Sequence, residues 1–110
     1  MAQANKDVIL NVLSREDDVG MHAIGRALGH LFDRQTYDEQ VSENTRHNNN
    51  RGFSPSDARM GTSMAKFYRG RGYLTPKQLS YWQRQQRTGK SRVGKYWSQL
   101  LEEAKIKQAA

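Results

Sequence analysis

The sequence contains no cysteine. That removes disulfides, thiolate metal sites and cysteine nucleophiles together, and it is compatible with a reducing cytoplasm. No long hydrophobic run is present either, so no membrane span is expected, and the opening MAQANKDVILNV holds no apolar segment of signal-peptide length. Internal repeats, low-complexity tracts and a convincing strand pattern are also missing. Only two prolines occur, Pro55 and Pro76, and each follows a hydroxyl residue in the arrangement that opens helices. What remains is a 110-residue chain, 35% hydrophobic and 26% charged, sized for a single domain whose core is assembled from amphipathic faces. The expectation is an all-α, cytoplasmic domain of five main helices and one minor one, with a C-terminal αα-hairpin.

Acid is scarce in one half of the chain. Residues 1–50 hold five Lys/Arg against eight Asp/Glu, or −3, whereas residues 51–110 hold thirteen against three, or +10. The division is into a near-neutral to acidic half over 1–43, an Asn-rich connector over 44–54 and a basic half over 55–107. Such asymmetry suits a protein that approaches phosphate or an acidic partner surface; the alternative is a solvated basic face that aids solubility.

In the first half, Asn5 caps a short helix over 5–15 with Val8, Ile9, Val12 and Leu13 on one stripe. Glu16-Asp17-Asp18 then favours the first turn of the next helix. From Val19 to about Gln35, Ile24, Ala27, Leu28 and Leu31 recur at helical spacing. Gly25 and Gly29, one turn apart, read as a packing notch because helix-interior glycine otherwise costs up to about 1 kcal/mol. His22 and His30 are eight residues apart, too far for adjacent-turn ligation of one metal, and no metal or other cofactor is expected. Thr36 to Glu39 forms a capping box for a minor helix to about Glu43.

Residues 44–54, NTRHNNNRGFS, form the connector. Arg46, His47 and Arg51 make it a secondary candidate for phosphate contact. A nuclease role for His47 is disfavoured, since no acid partners it locally and histidine alone does not hydrolyse phosphodiesters.

The second half opens at Ser54-Pro55-Ser56-Asp57, with Ser54 expected as N-cap of a helix to about Arg69 whose buried stripe is Met60, Met64, Phe67 and Tyr68. Gly70 to Leu74 turns the chain, and Thr75-Pro76-Lys77-Gln78 starts the next helix as a capping box, giving a tight hairpin. That helix, to about Gln86, buries Leu79 and Trp82 and exposes Lys77, Tyr81 and Arg84. After the basic loop Arg87-Thr88-Gly89-Lys90, Ser91 caps a last helix burying Val93, Trp97, Leu100, Leu101 and Ala104. Arg92 and Lys95 at its start oppose the helix dipole, so they answer to a partner better than to folding.

Between Tyr68 and Leu101 the chain has no acid. The candidate binding residues are therefore Arg69, Arg71, Lys77, Tyr81, Arg84, Arg87, Lys90, Arg92 and Lys95, cations for phosphates with a ring for stacking. Two motif readings fail or fit poorly. Gly89-Lys90-Ser91 resembles the end of a P-loop, but the required preceding glycine is Arg84 and no strand leads in. A helix-turn-helix over Thr75 to Gln99 has too long a connecting loop.

The stretch from about Asp57 to Leu101, with ARMGTSMAKFYRGRGYLTPKQLSYW, resembles helical segments of small accessory proteins of phages and plasmids, in which an Arg-Gly-x-Leu-Thr-x-Lys-Gln turn follows an amphipathic helix. The resemblance covers under half of the chain and implies a mobile-element context. It carries over no catalytic residue. The resulting expectation is a non-enzymatic protein that binds DNA or RNA. The alternative is an anti-CRISPR-type inhibitor of a host defence complex whose basic patch meets an acidic protein surface.

Overall fold

The computed structural model of the chain describes residues 5–35, 52–84 and 91–109, with side chains to 107. Among these are five α-helices, one 3-10 turn and no strand. The minor helix expected over Thr36–Glu43 and most of the Asn-rich connector lie outside the described residues, as do Arg46, His47, Arg51, Arg87 and Lys90.

Helix α1, Lys6–Leu13, begins where Asn5 Oδ1 accepts the Val8 N–H at 2.9 Å. Its inner face ends on buried Leu13, with Ile9 and Val12 half-buried, while Val8 is exposed. Helix α2, Asp18–Asp33, is capped by Asp17, which accepts the Gly20 N–H at 3.2 Å and pairs with Arg15. The Arg15 hydrogen bond leads in lowering the Asp17 carboxyl to about 2. Helix α2 is the hub of the fold: Ile24, Leu28 and Leu31 are fully enclosed, and every other helix touches it.

The glycine notch on α2 is filled as the spacing predicts. A Cβ on Gly25 would lie 2.4 Å from the Tyr68 ring, and one on Gly29 would lie 3.0 Å from the Arg69 guanidinium. Both partners come from α3, Ala58–Arg71, which packs along α2. Helix α3 buries Ala58, Gly61, Thr62, Met64 and Ala65. This corrects the expected stripe, since Met60 is 42% exposed while the neighbouring small residues face inward. It ends at Gly72, whose φ of 80° is the left-handed cap and whose N–H reaches the Tyr68 carbonyl at 2.7 Å.

The start of α3 also differs. Ser54 to Asp57 forms a hydrogen-bonded turn, Asp57 N–H to Ser54 O at 3.0 Å, and the helix follows it. Just before the turn, Phe53 is only 1% exposed and sits over Gly61, beside Trp82 and Tyr96. The end of the expected connector is thus a core plug. It is secured by Gln99, whose side chain accepts the Gly52 N–H at 2.8 Å and donates to the Gly52 carbonyl at 3.1 Å.

Helix α4, Pro76–Gln83, has both bonds of its capping box: Thr75 Oγ1 accepts the Gln78 N–H at 3.2 Å, and Gln78 Oε1 accepts the Thr75 N–H at 2.9 Å. Its Trp82 is fully buried and donates its indole N–H to Met64 Sδ at 2.9 Å, tying α4 back to α3. On leaving α4 the chain is pinned to its own return. Arg92 N–H bonds the Arg84 carbonyl at 3.1 Å, and Val93 N–H bonds the Trp82 carbonyl at 3.0 Å.

The C-terminal hairpin is present in part, as a 3-10 turn over Gly94–Tyr96 that runs into α5, Trp97–Ala109. Ser91 Oγ accepts the Gly94 N–H at 3.0 Å, but the N-cap of the turn is Val93 and the helix proper starts at Trp97 rather than after Ser91. Tyr96 is buried, whereas Trp97, expected in the core, is only half-buried beneath the Lys6 ammonium. At the far end, Arg34 closes α2 onto α5 with bonds to Glu102 at 3.0 Å and Glu103 at 2.9 Å.

The notch makes two alanine substitutions act with opposite sign. Gly25→Ala drives a methyl into the Tyr68 ring and is expected to destabilise by about 1–3 kcal/mol. Gly70→Ala, where a Cβ meets nothing within 4 Å, is expected to stabilise by up to about 1 kcal/mol. Urea unfolding followed by circular dichroism measures both.

Candidate nucleic-acid interface

From Ala58 to Leu101 the chain carries ten Lys/Arg and no acid. The structure divides those cations by what they touch. The first group converges on Asp57, whose side chain is 0% exposed. Its carboxylate receives Arg92 Nη1 at 2.6 Å, Lys95 Nζ at 2.6 Å and the Tyr96 hydroxyl at 2.5 Å. Tyr96 also bonds the Ser54 N–H and hydroxyl, each at 3.0 Å. Burial alone would push the Asp57 carboxyl up. The hydrogen bonds from Lys95, Tyr96 and Arg92 outweigh it and hold the group below the ordinary carboxylate value. Burial, reinforced by the bond to Asp57, pushes the Tyr96 phenol up.

Arg92 and Lys95 therefore have their partner inside the chain. Arg92 also lies over the Tyr81 ring, 4.4 Å from its centroid, and Tyr81 packs edge-on against Trp82 at 5.3 Å. Tyr81 is half-buried against the core rather than an open stacking surface. Arg69 is likewise engaged: it reaches both Asp33 oxygens, at 2.9 and 2.6 Å, and the Gly29 carbonyl at 3.2 Å, and Asp33 raises its already high pKa.

The second group faces water. Arg59, Arg71, Lys77 and Arg84 are exposed and have no ion-pair partner among the described residues. Arg59 lies on the outer face of α3 and was not singled out by the sequence. The acid-free run in fact extends back through all of α3 to Ala58, and that longer run is the signal that would have found it. Arg71 stands over the Phe67 ring, 5.7 Å from its centroid, and Phe67 meets Tyr73 edge to face at 5.6 Å. Tyr73 is 45% exposed.

The histidines show separate attachments. His22 Nδ1 lies 2.8 Å from the Tyr68 hydroxyl, and His30 faces Glu103 at 3.9 Å. Among the described residues no three His, Cys, Asp or Glu side chains converge as a metal site would require. No helix there is long and apolar enough to cross a membrane.

A mostly apolar groove of about 650 Å³ lies between α1, α2 and α5, walled by Ile9, Val12, Ala23 and Leu100, with Arg26 and Glu103 among its polar residues. No protein-family model, curated protein or solved structure matches the chain.

The Asp57 cluster sets an acid dependence. A carboxyl whose folded pKa is depressed stabilises the fold fully above its unfolded value of about 4, and that contribution drains as pH falls through the folded value. In Asp57→Asn the two cations lose their charge partner, and a loss on the order of 2–4 kcal/mol is expected at pH 7, at the low side of buried pairs because both cations keep some solvent contact. Thermal melts from pH 7 to pH 2 are expected to show a shallower acid dependence in the variant than in the parent.

Proposed function

We propose that the chain is a non-enzymatic nucleic-acid-binding protein, an accessory of a mobile element, that holds phosphates through the exposed cations of its second half. The observation that carries this reading is the ten-cation stretch without an acid, of which Arg59, Arg71, Lys77 and Arg84 stand exposed and without an ion-pair partner among the described residues. Unpaired surface cations destabilise a fold slightly by mutual repulsion, whereas they gain affinity for a polyanion by releasing its counterions. Arg87 and Lys90 join the proposed contact set from the sequence. Arg69, Arg92 and Lys95 pass to the scaffold because carboxylates within the chain already hold them. The mobile-element setting rests on the resemblance of residues 57–101 alone.

A second reading, an antagonist that covers an acidic surface of a host defence complex, draws support from the apolar groove beside α5. It requires a stoichiometric protein partner that survives nuclease treatment and is lost when Ala104→Arg fills the groove.

Fluorescence anisotropy with short single- and double-stranded DNA and RNA tests the first reading. Affinity is expected to fall steeply between 50 and 200 mM salt, by roughly one power of salt concentration per phosphate neutralised. Changing Arg59, Arg71, Lys77 and Arg84 together to Gln is expected to cut the slope by about 3 while leaving the melting temperature near that of the parent. Absence of binding at low salt sinks the proposal.

A further inference from the structure

The exposed cations are joined by an aromatic ring, Tyr73, that lies outside the core cluster. Tyr73 follows the Gly72 cap at the end of α3, 45% exposed, and its hydroxyl makes no hydrogen bond among the described residues. A tyrosine retained for packing is normally enclosed, or bonds through its hydroxyl, as Tyr96 and Tyr68 do here. Tyr73 does neither. Its ring is nevertheless held in place, edge to face at 87° against half-buried Phe67, which in turn lies under Arg71. Met60, 42% exposed, continues the same face of α3, seven residues before Phe67 and eleven before Arg71. A half-open ring seated on Phe67, lying between Arg71 and Lys77 in sequence with no acid nearby in that sequence, combines the two parts of a single-strand site: cations for the backbone and a π-face for a base. A duplex keeps its bases stacked inside and offers such a ring nothing beyond phosphate.

We infer that Tyr73, seated on Phe67 and flanked in sequence by Arg71 and Lys77, is a stacking platform for an unpaired nucleobase, and that the nucleic acid bound is single-stranded. This rests on the phosphate-binding reading and narrows it. Neither Tyr81 nor Tyr96 competes for the role, because one packs against Trp82 and the other is sealed over Asp57.

The test is the affinity of the full chain for a labelled 12-nucleotide oligothymidine and for a 12-base-pair duplex, both at low salt. Three proteins are compared: the parent, Tyr73→Ala and Tyr73→Trp. The parent is expected to prefer the single strand. Tyr73→Ala is expected to lose about tenfold on the single strand, the effect of one lost base–aromatic stack. It should lose nothing on the duplex, while Tyr73→Trp retains both affinities. If Tyr73→Ala leaves the single-strand affinity unchanged, or weakens both ligands equally, the platform is overturned while salt-dependent binding still supports the phosphate reading. If the parent binds neither oligonucleotide, both fall. Circular dichroism of Tyr73→Ala verifies its fold, which an exposed side chain should not disturb.

Discussion

One enclosed carboxylate governs how the basic half is built. Asp57 has no solvent contact, so its charge is stable only because Arg92, Lys95 and Tyr96 surround it. Meeting them fixes three things together. It holds the turn that precedes α3, it sets the position of the 3-10 turn against that helix, and it brings Tyr96 across to bond Ser54. Asp57 also cannot cap α3 with its side chain, because those oxygens are committed elsewhere. The start of the helix and the end of the hairpin are therefore one electrostatic unit.

Around that unit the fold relies on thin helix faces. The Gly25 and Gly29 notch on α2 lets α3 approach until Tyr68 and Arg69 rest on backbone, and Gly61 on α3 admits Phe53 in the same way. Large side chains are few, so each is placed where small residues make room for it. The result separates the cations by what they meet. Arg69, Arg92 and Lys95, which meet a carboxylate, tie elements of the fold to one another, and Arg59, Arg71, Lys77 and Arg84, with no ion-pair partner among the described residues, face outward.

The helix starts were legible because capping is local. Asn5 and the Thr75–Gln78 box can be read within four residues of sequence and carry the expected bonds, whereas Asp17, expected only within an acidic first turn, proves to be the N-cap of α2. The glycine notch was legible from the cost of glycine in a helix. What escaped depends on partners far along the chain. Arg92 and Lys95 looked unpaired because their acid lies 35 or more positions away. Phe53 looked like loop because its neighbours are polar, although its ring meets Trp82 and Tyr96. Tyr96 rather than Trp97 takes the inward place because the segment after Val93 is a 3-10 turn. With three residues per turn, Tyr96 eclipses Val93, and the inward direction arrives one residue earlier than 3.6 periodicity places it. The candidate surface was legible as a charge pattern, but its division into bound and open cations was not.

The clasp of Gln99 on Gly52 has a topological meaning. Gly52 lies against the Leu31 carbonyl and Gln35, at the very point where α2 hands over to residue 36. Gln35 and Gly52 thus meet at one place, much as the bonded Arg84 and Arg92 do. A segment whose ends are already joined adds to closure entropy only logarithmically with length, about 0.6 kcal/mol for each doubling. The helical body itself thus holds both pairs of ends together, so the cost of closing either connection depends only weakly on how many residues it contains.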